Sequence, residues 1–323
     1  MTNSTGKIVT VFGGSGFLGR HVVRALAKRG YRVRVAVRRP DLAGFLQPLG
    51  NVGQVMPMQA NLRNADSVAR AVAGCDAVVN LAGILFQTSK QSFDVVHRDG
   101  AKSIAEATAK AGISKLVQIS AIGANKESAS DYARSKAEGE EAVLAAMPDA
   151  VIIRPSLLIG VEDEFFNKFA EMGKLSPFLP LVGGGDTLFQ PAFVGDVAEV
   201  IARGVDGTLA KGTTYELGGP EAKSFRQLLE LLLAETHQRR FLLPIPFWIA
   251  NLLGTVFEKL PKPLLTRDQV KLLKTDNVVS EAAKADGRTF EGLGIEPLAI
   301  EAVIPSYLWS YRTTGQYEAN RLR

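Results

Sequence analysis

Tyr132 and Lys136 are the residues of this sequence best suited to proton transfer. They lie four positions apart in a predicted helix, so their side chains share one face. A lysine ammonium beside a phenol lowers the pKa of the phenol from about 10, and tyrosine then donates or accepts the proton that accompanies hydride transfer. The spacing alone is unspecific, but it falls on the helix that follows the fifth predicted strand. We therefore predict Tyr132 and Lys136 as candidate catalytic residues that also contact a cofactor.

A glycine-rich turn joins the first predicted strand to a predicted helix. Three glycines, at positions 13, 16 and 19, have the spacing Gly-x-x-Gly-x-x-Gly. The first permits a tight turn, the second lets the backbone approach a pyrophosphate, and the third lets the helix pack closely on the strand. The helix N-terminus adds N–H groups and a favourable dipole for phosphates. The predicted dinucleotide contacts in this turn are Gly13, Ser15, Gly16, Phe17, Leu18 and Gly19.

Two arginines follow the second predicted strand, about 20 residues after the glycine turn. An acidic residue at this place holds the ribose hydroxyls of NAD, whereas arginine suits the 2′-phosphate of NADP. Arg38 is the better candidate and Arg39 the second, so the sequence favours NADPH. The alternative is that both are solvated arginines at a strand end.

Residues at the ends of the next two strands complete this first set of cofactor contacts. Asn61 and Leu62 follow the third predicted strand, where the asparagine carbonyl could accept a hydrogen bond from the adenine amino group. Leu81, Ala82 and Gly83 follow the fourth, where a small backbone could pass close to the ribose. Ordinary turns explain each residue equally well, but doubly wound folds bind ligands at such strand ends.

Strands and helices alternate through the first half of the chain. Strands are predicted over 7–12, 31–37, 52–58, 76–81, 115–120 and 150–154, with helices over 20–28, from Pro40, over 91–111 and over about 130–146. Such alternation is typical of right-handed crossovers and a parallel sheet covered on both faces. The predicted fold class is α/β, a Rossmann-type doubly wound parallel sheet with a smaller C-terminal lobe.

The predicted domain organisation divides the chain near Pro155. Residues 1–155 form the NAD(P)-binding core, and residues 156–323 form a mixed C-terminal part. Within that part, residues near 187–219 return to the core and residues 220–323 form the smaller lobe. After Pro155 the alternation weakens, and Gly183 to Gly185 with several prolines interrupt it.

The composition argues against a nucleic-acid partner, an internal disulfide and a metal site. The formal net charge of the 323 residues is +5, but the basic residues are spread out, so the sequence does not favour a nucleic-acid partner. The single cysteine, Cys75, excludes an internal disulfide. The three histidines lie far apart, which argues against a metal site. The short polar N-terminus predicts a protein that stays in the cytoplasm.

The segment from Phe241 to Phe257 is strongly apolar. Pro244 and Pro246 interrupt it, and its helical part, 247–260, is too short to span a bilayer of about 30 Å. One interpretation is an amphipathic helix lying on a partner or membrane surface, with Lys259, Lys262 and Arg267 nearby. The alternative is that the helix packs in the core of the smaller lobe, which Trp248 and the leucines would also suit.

Taken together, these motifs resemble the extended and atypical short-chain dehydrogenase/reductase superfamily, over residues 7–219. Within it, three stretches are similar to the nucleotide-binding accessory-subunit family of respiratory complex I, the NADH:ubiquinone oxidoreductase. The three stretches are Tyr132 to Glu140, Arg154-Pro155-Ser156, and Gly160 to Ala170 with its Gly-x-Glu-Asp run and following phenylalanines. The resemblance extends the predicted cofactor contacts to Ser120 and Pro155.

The resemblance implies an NADPH held for structural or regulatory reasons, near the junction of the peripheral and membrane arms of complex I. In a bacterium this implies a cytoplasmic protein, peripheral on the inner membrane. Active reductases of the superfamily place a catalytic serine or threonine just past strand five, and here Ile122 aligns with it, so an oxyanion would lose one donor. Tyr132 and Lys136 would then be vestigial.

Two alternatives stay open. One is an active NADP(H)-dependent reductase or epimerase of the same superfamily, acting on a quinone precursor in ubiquinone metabolism or on another isoprenoid-like substrate, with Tyr132 and Lys136 as its support. The other is a redox sensor similar to NmrA, which would share the cofactor but lack the membrane partner.

Overall fold

The computed structural model describes residues 6–88, 91–260, 263–313 and 315, which form two compact units. The first unit contains the described residues up to Pro155 together with Gly195–Glu216. The second contains Ser156–Val194 and the described residues from Leu217 onward. The Gly195–Glu216 segment lies within the stretch near 187–219 that the sequence predicts to return to the core.

The bounds of the elements in the described residues are as follows. The strands are β1 (Ile8–Phe12), β2 (Arg32–Val37), β3 (Val55–Gln59), β4 (Ala77–Asn80), β5 (Leu116–Ile119), β6 (Val151–Pro155), β7 (Leu158–Ile159), β8 (Phe178–Val182), β9 (Leu188–Phe189), β10 (Ala192–Phe193), β11 (Thr214–Leu217), β12 (Lys223–Ser224) and β13 (Phe241–Ile245). The α-helices are α1 (Phe17–Lys28), α2 (Ala65–Val72), α3 (Gly100–Lys110), α4 (Asp131–Ala146), α5 (Phe166–Leu175), α6 (Val194–Asp206), α7 (Phe225–Thr236), α8 (Phe247–Phe257), α9 (Arg267–Leu272), α10 (Glu281–Ala285), α11 (Ile300–Val303) and α12 (Pro305–Leu308).

A seven-stranded sheet forms the centre of the first unit. Its strand order is β11-β6-β5-β4-β1-β2-β3, and the five pairings among β1 to β6 are parallel. The predicted doubly wound parallel sheet is therefore confirmed. Because β1 pairs with β2 on one side and β4 on the other, the strand order reverses at β1, and ligands bind at the carboxyl ends of strands at such a point.

The strands are apolar because both faces of the sheet are covered. Val9 and Val11 of β1 are fully buried, as parallel strands between two helical layers require. Thr10 is buried as well, and its hydroxyl donates to the carbonyl of Ala71 at 2.8 Å. The core beside this sheet also contains Cys75, the only cysteine of the chain, which is buried as a small apolar side chain.

Two predicted helices of the first unit differ from the structure. The helix predicted from Pro40 is instead two 3-10 segments, Pro40–Leu42 and Gly44–Leu49, because Pro48 lies inside the second and cannot donate a helical hydrogen bond. The helix predicted over 91–111 opens as a π-helix, Asp94–Asp99, before α3 begins. The structure also adds α2, which the prediction lacked.

The second unit has a core of its own. It combines short two-stranded sheets, β7 with β10, β8 with β13 and β9 with β12, with the helices α5 and α7 to α12. Its largest fully buried side chains include Phe166, Leu179 and Leu181. Asp163 lies three residues before α5 and accepts from the backbone N–H groups of Phe166 and Asn167 in its first turn, and it also accepts from the Tyr307 hydroxyl.

Helix α8 packs one face on the second unit and exposes the other, and Trp248 lies on the exposed face rather than in the core, where the second of the two alternatives placed it. The exposed fractions are 71% for Trp248, 61% for Leu252 and 57% for Val256, three residues at helical spacing. The opposite face holds Ala250 and Gly254, both buried. Lys262, predicted to lie nearby, is outside the described residues, and none of the described helices is long and apolar enough to cross a membrane.

Candidate functional site

The turn after β1 brings two strand ends into contact. Gly13 has φ +76°, which favours glycine, and a Cβ there would lie 2.9 Å from the backbone nitrogen of Ala82. Gly19 is equally constrained, because its Cβ would lie 2.4 Å from the carbonyl oxygen of Gly13. The predicted roles of both glycines, a tight turn and close helix packing, therefore have a direct geometric basis.

The start of α1 offers the room that a phosphate needs. Gly16 is exposed, and an added Cβ would meet within 4 Å only the carbonyl oxygen of Gly13, at 3.4 Å. Gly16 is the N-cap residue, and neither a side-chain cap nor an acidic residue occupies the first turn. The first N–H groups of α1, at Phe17 and Leu18, thus belong to a helix terminus of the kind that binds anions.

A cleft of about 610 Å³ opens beside this turn, in the first unit. The predicted contacts that line it are Gly13, Ser15, Gly16, Arg38, Asn61, Leu62, Leu81, Ala82 and Gly83. The lining residues that the sequence analysis missed are Phe12, Ala36, Val37, Ala60, Arg63, Ile84, Thr88, Gln91, Val95 and Val96. The predicted contacts outside this lining are Phe17, Leu18, Gly19, Arg39, Ser120, Tyr132, Lys136 and Pro155.

The arginines at this cleft differ in what they already bind. Arg39 does not line it and forms an ion pair with Asp41 at 2.7 Å. Arg38 and Arg63 line the cleft, and neither guanidinium has a hydrogen bond or ion pair with another described residue. Guanidinium groups without such partners can bind a phosphate through charge-assisted hydrogen bonds.

Asn61 forms the turn that presents Arg63. Its side-chain oxygen accepts from the backbone N–H of Arg63 at 3.1 Å, and its own N–H donates to the Ser67 hydroxyl at 3.0 Å. One lone pair of the amide oxygen stays available, which leaves the predicted contact with adenine compatible with the geometry. Leu62 lines the cleft and also packs on α3, where its Cδ1 atom lies 3.1 Å from the Cβ position of Gly100.

A buried amide pair supports the opposite wall, residues 81–84. The side-chain oxygen of Asn80 accepts from the Ala82 N–H at 3.0 Å, and its nitrogen donates to Gln118 at 2.7 Å. Gln118 in turn donates to the carbonyl of Ile119 at 2.7 Å. The backbone that follows β4 is therefore held by side chains of the two central strands β4 and β5.

Tyr132 and Lys136 lie on α4, at the back of that wall. The Lys136 nitrogen is 5.7 Å from the centroid of the Tyr132 ring and 3.5 Å from the Cβ position of Gly83. Lys136 is buried and has no hydrogen bond to any described residue. Burial lowers the pKa of Lys136 to about 8, partly opposed by the carboxylate of Glu140, because removing the ammonium from water disfavours its charge.

A buried ion pair holds that carboxylate in place. Arg154 donates to both oxygens of Glu140, at 2.8 and 2.6 Å, and lies 3.5 Å from Glu216. Bidentate pairing of this kind fixes orientation as well as charge. The Arg154 of the Arg-Pro-Ser motif therefore acts on Lys136 through Glu140, which the sequence alone did not indicate.

The residues past β5 do not supply the hydroxyl of an active reductase at position 122. Ile122 is a buried apolar residue, and its N–H donates to the carbonyl of Pro155 at 3.0 Å. Ser120 is buried, and its hydroxyl has no partner among the described residues. The structure thus brings Ser120, Ile122 and Pro155 to neighbouring strand ends without placing them in the cleft lining.

Comparisons with known proteins agree with this geometry. An NAD(P)H-binding domain family matches residues 13–168. The chain is 37% identical to NADH dehydrogenase (ubiquinone) 1 alpha subcomplex subunit 9, mitochondrial, of Arabidopsis thaliana, over 96% of this chain and 79% of that protein. It is 35% identical to a ceramide reductase of Caulobacter vibrioides, over 56% of each chain.

A solved structure supports the fold. The UDP-glucose 4-epimerase of Thermus thermophilus in complex with NAD superposes with a TM-score of 0.67 at 21% identity, over 95% of this chain and 99% of that one. This similarity concerns the fold alone. The near-complete match to the plant protein extends through both units. The chain therefore belongs to the family of complex I alpha subcomplex subunit 9 proteins and contains an NAD(P)H-binding domain of Rossmann type.

Proposed function

We propose that this protein is an NADPH-binding accessory or assembly subunit of respiratory complex I, in which the cofactor is structural rather than turned over. The observation that carries the proposal is the match to a complex I subunit over 96% of the chain, which includes the second unit and not only the nucleotide-binding domain. The ceramide reductase, by contrast, matches over 56%.

The choice of NADPH rests on the charges of the cleft. Arg38 and Arg63 both line it without a partner among the described residues, and Arg38 stands where an acidic residue would favour NAD. Arg39, already paired with Asp41, is the poorer candidate. The 2′-phosphate of NADPH would give these two guanidinium groups an anion to bind.

The exposed face of α8 supports a docking role for the second unit. Trp248, Leu252 and Val256 form an apolar stripe, and Leu260 beyond the helix is 47% exposed. Exposed apolar groups of this extent mark interaction surfaces. We infer that the stripe, at the junction of the peripheral and membrane arms, contacts complex I subunits or the adjoining membrane, peripheral to the bacterial inner membrane on its cytoplasmic side.

The test is an affinity pull-down of the tagged full chain from gently solubilised membranes of its own organism. We expect complex I subunits in the eluate, with NADPH released from the protein in stoichiometric amount on denaturation. Recovery of the protein alone with readily exchanged cofactor would contradict the proposal.

Leu252→Glu should weaken this association by about tenfold or more, because it places a carboxylate in the centre of the apolar stripe. Val52→Glu is the matched control, since Val52 is an isolated, fully exposed apolar residue of the first unit. Quantitative mass spectrometry of the co-purified subunits measures the effect. Equal recovery with both variants would exclude α8 as the docking surface.

A second function is favoured by one observation, the retained Tyr132 and Lys136 pair on α4. A bound nicotinamide would supply hydride, and Lys136 would hold positive charge beside the ring of Tyr132. The protein would then be an NADP(H)-dependent reductase or epimerase. Its substrate would be a lipid, because the relative named as a ceramide reductase acts on one by its name.

Tyr132→Phe separates the two functions. If the protein is a structural subunit, the variant should retain NADPH and support respiration at the wild-type rate, because only a hydroxyl is lost. If it is an enzyme, turnover of its substrate should fall by roughly a hundredfold or more, since the proton donor is absent, while NADPH affinity stays unchanged. Oxygen uptake by membranes of the complemented deletion strain measures respiration, and NADPH oxidation by the purified full chain with ceramide-like and quinone-like substrates measures turnover.

A further inference from the structure

His97 is a buried histidine for which the sequence indicates no role. It lies in the π-helix Asp94–Asp99 and is 3% exposed. Helix α4 packs directly on this segment, since a Cβ on Gly139 would lie 2.2 Å from the carbonyl oxygen of His97. Such single π turns inside helices occur frequently at functional sites.

The hydrogen bonds of His97 fix its protonation state. Its Nε2 atom accepts from the backbone N–H of Ile84 at 3.1 Å, so Nε2 carries no proton. Its Nδ1 atom lies 2.9 Å from the oxygen of the Ser135 hydroxyl. That hydroxyl donates its only hydrogen to the carbonyl of Tyr132, at 2.8 Å. Nδ1 must therefore be the donor to Ser135, and the ring is neutral.

Burial and the nearby ammonium of Lys136 keep the ring neutral. Together they lower the pKa of His97 to about 2, so protonation does not interrupt the bond to Ile84 at physiological pH. Phe93 stacks on the ring at 5.5 Å and Tyr132 meets it edge-on at 5.3 Å. The imidazole is thus fixed in orientation as well as in charge.

The two bonded neighbours of His97 belong to different parts of the site. Gly83 and Ile84 line the cleft, whereas Ser135 lies on α4 between Tyr132 and Lys136. The Cβ position of Gly83 is 3.6 Å from Nε2 of His97 and 3.5 Å from the nitrogen of Lys136. Asn80 accepts from the N–H of Ala82, earlier in the same wall, but its side chain forms no hydrogen bond to α4 within the described part of the chain.

We propose that His97 is a positioning residue that joins the cleft wall at Gly83–Ile84 to helix α4. It would hold the Tyr132–Lys136 pair at a fixed position relative to the dinucleotide cleft. The inference rests on the cleft being the NADPH site of the proposed function. It assigns His97 no contact with cofactor or substrate.

The test uses two substitutions that each retain one of the two bonds. In His97→Gln the terminal amide reaches the position of Nε2, so its oxygen can accept from Ile84 N–H. In His97→Asn the shorter amide reaches the position of Nδ1 and can donate to Ser135, but the partly buried N–H of Ile84 loses its acceptor. The NADPH dissociation constant and the hydrogen exchange of the Ile84 amide are measured for the full chain.

We expect His97→Asn to weaken NADPH binding by about tenfold and to accelerate Ile84 exchange, because a partly buried N–H without its acceptor favours opening of the wall. His97→Gln should weaken NADPH binding by only about threefold and accelerate Ile84 exchange less than His97→Asn does, because it keeps the acceptor for the Ile84 N–H and loses only the link to Ser135. Equal losses in the two variants would show a mere packing role and would overturn the proposal, as would unchanged binding in both.

Ser135→Ala provides a second measurement if His97→Asn fails to fold. It preserves the acceptor for Ile84 and removes the link to α4, so NADPH affinity should fall severalfold and Ile84 exchange should rise. No change in either quantity would contradict the coupling. Failure of the wild-type protein to bind NADPH would instead contradict the proposed function, so the two failures are distinguishable.

Discussion

Replacing Lys136 with methionine should stabilise the protein without cofactor by about 2–3 kcal/mol at pH 7. Burial lowers the pKa of Lys136 from 10.5 to about 8, which at about 1.4 kcal/mol per tenfold change makes the charged form a cost of roughly 3 kcal/mol. Methionine fills a similar volume without a charge. Where function requires a buried charge, replacing that residue is expected to increase the stability of the folded protein.

The free energy of unfolding should rise with pH because of the lowered pKa of Lys136. The folded state holds the Lys136 proton less tightly than the unfolded state, so the cost is fully present below pH 8. It disappears as the pH rises from about 8 to 10.5, and wild-type stability should approach that of the variant over this range. Urea unfolding at pH 7 and pH 10 measures the difference.

Lys102→Met is the matched control on the neighbouring helix. Lys102 is exposed, and its ion pair with Glu106 spans 3.8 Å at the surface, so its loss should leave the free energy of unfolding almost unchanged. If Lys136→Met proves less stable than wild type, or if its effect is the same at both pH values, the assignment of a strained buried ammonium is wrong.

Replacing Arg38 with aspartate should weaken NADPH binding by about a hundredfold or more, equivalent to roughly 3 kcal/mol, and change NADH affinity by less than about fivefold. The substitution would replace the cation that we propose binds the 2′-phosphate with a carboxylate. The same carboxylate can accept hydrogen bonds from the ribose hydroxyls of NADH. Calorimetric titration with both nucleotides measures the selectivity.

Arg39→Asp serves as the control for local charge, because Arg39 is engaged by Asp41 and lies outside the cleft lining. Its effect on NADPH should be small beside that of Arg38→Asp. Equal losses for NADPH and NADH with Arg38→Asp would show that the arginine contributes to folding of the turn rather than to cofactor choice.

The sequence predicts the parts of the cleft lining that lie next to regular strands. The turn from Gly13 to Gly19 and the strand-end residue Arg38 follow from short-range rules of backbone geometry and phosphate chemistry. Nine of the predicted contacts line the cleft because the parallel strands β1 to β4 bring their carboxyl ends to one edge.

The remaining residues depend on geometry that periodicity does not reveal. Val95 and Val96 reach the cleft, and His97 reaches Ile84, from a π-helix that was predicted as regular α-helix. Arg63 depends on a turn stabilised by the side chain of Asn61. The exposure of Trp248 could not be predicted either, because an apolar helix fits a core and a docking surface equally well.

The first unit is built from two separate segments of the chain, so it cannot be completed until the second segment has been synthesised. The first unit needs β11, which pairs with β6 and comes from the segment that ends at Glu216. A nascent chain that has reached Pro155 therefore exposes the edge of β6 until roughly 60 more residues emerge, about 3–12 s of synthesis. Chaperones that bind open sheet edges would act in that interval, and a chain truncated at Pro155 would stay in that aggregation-prone state.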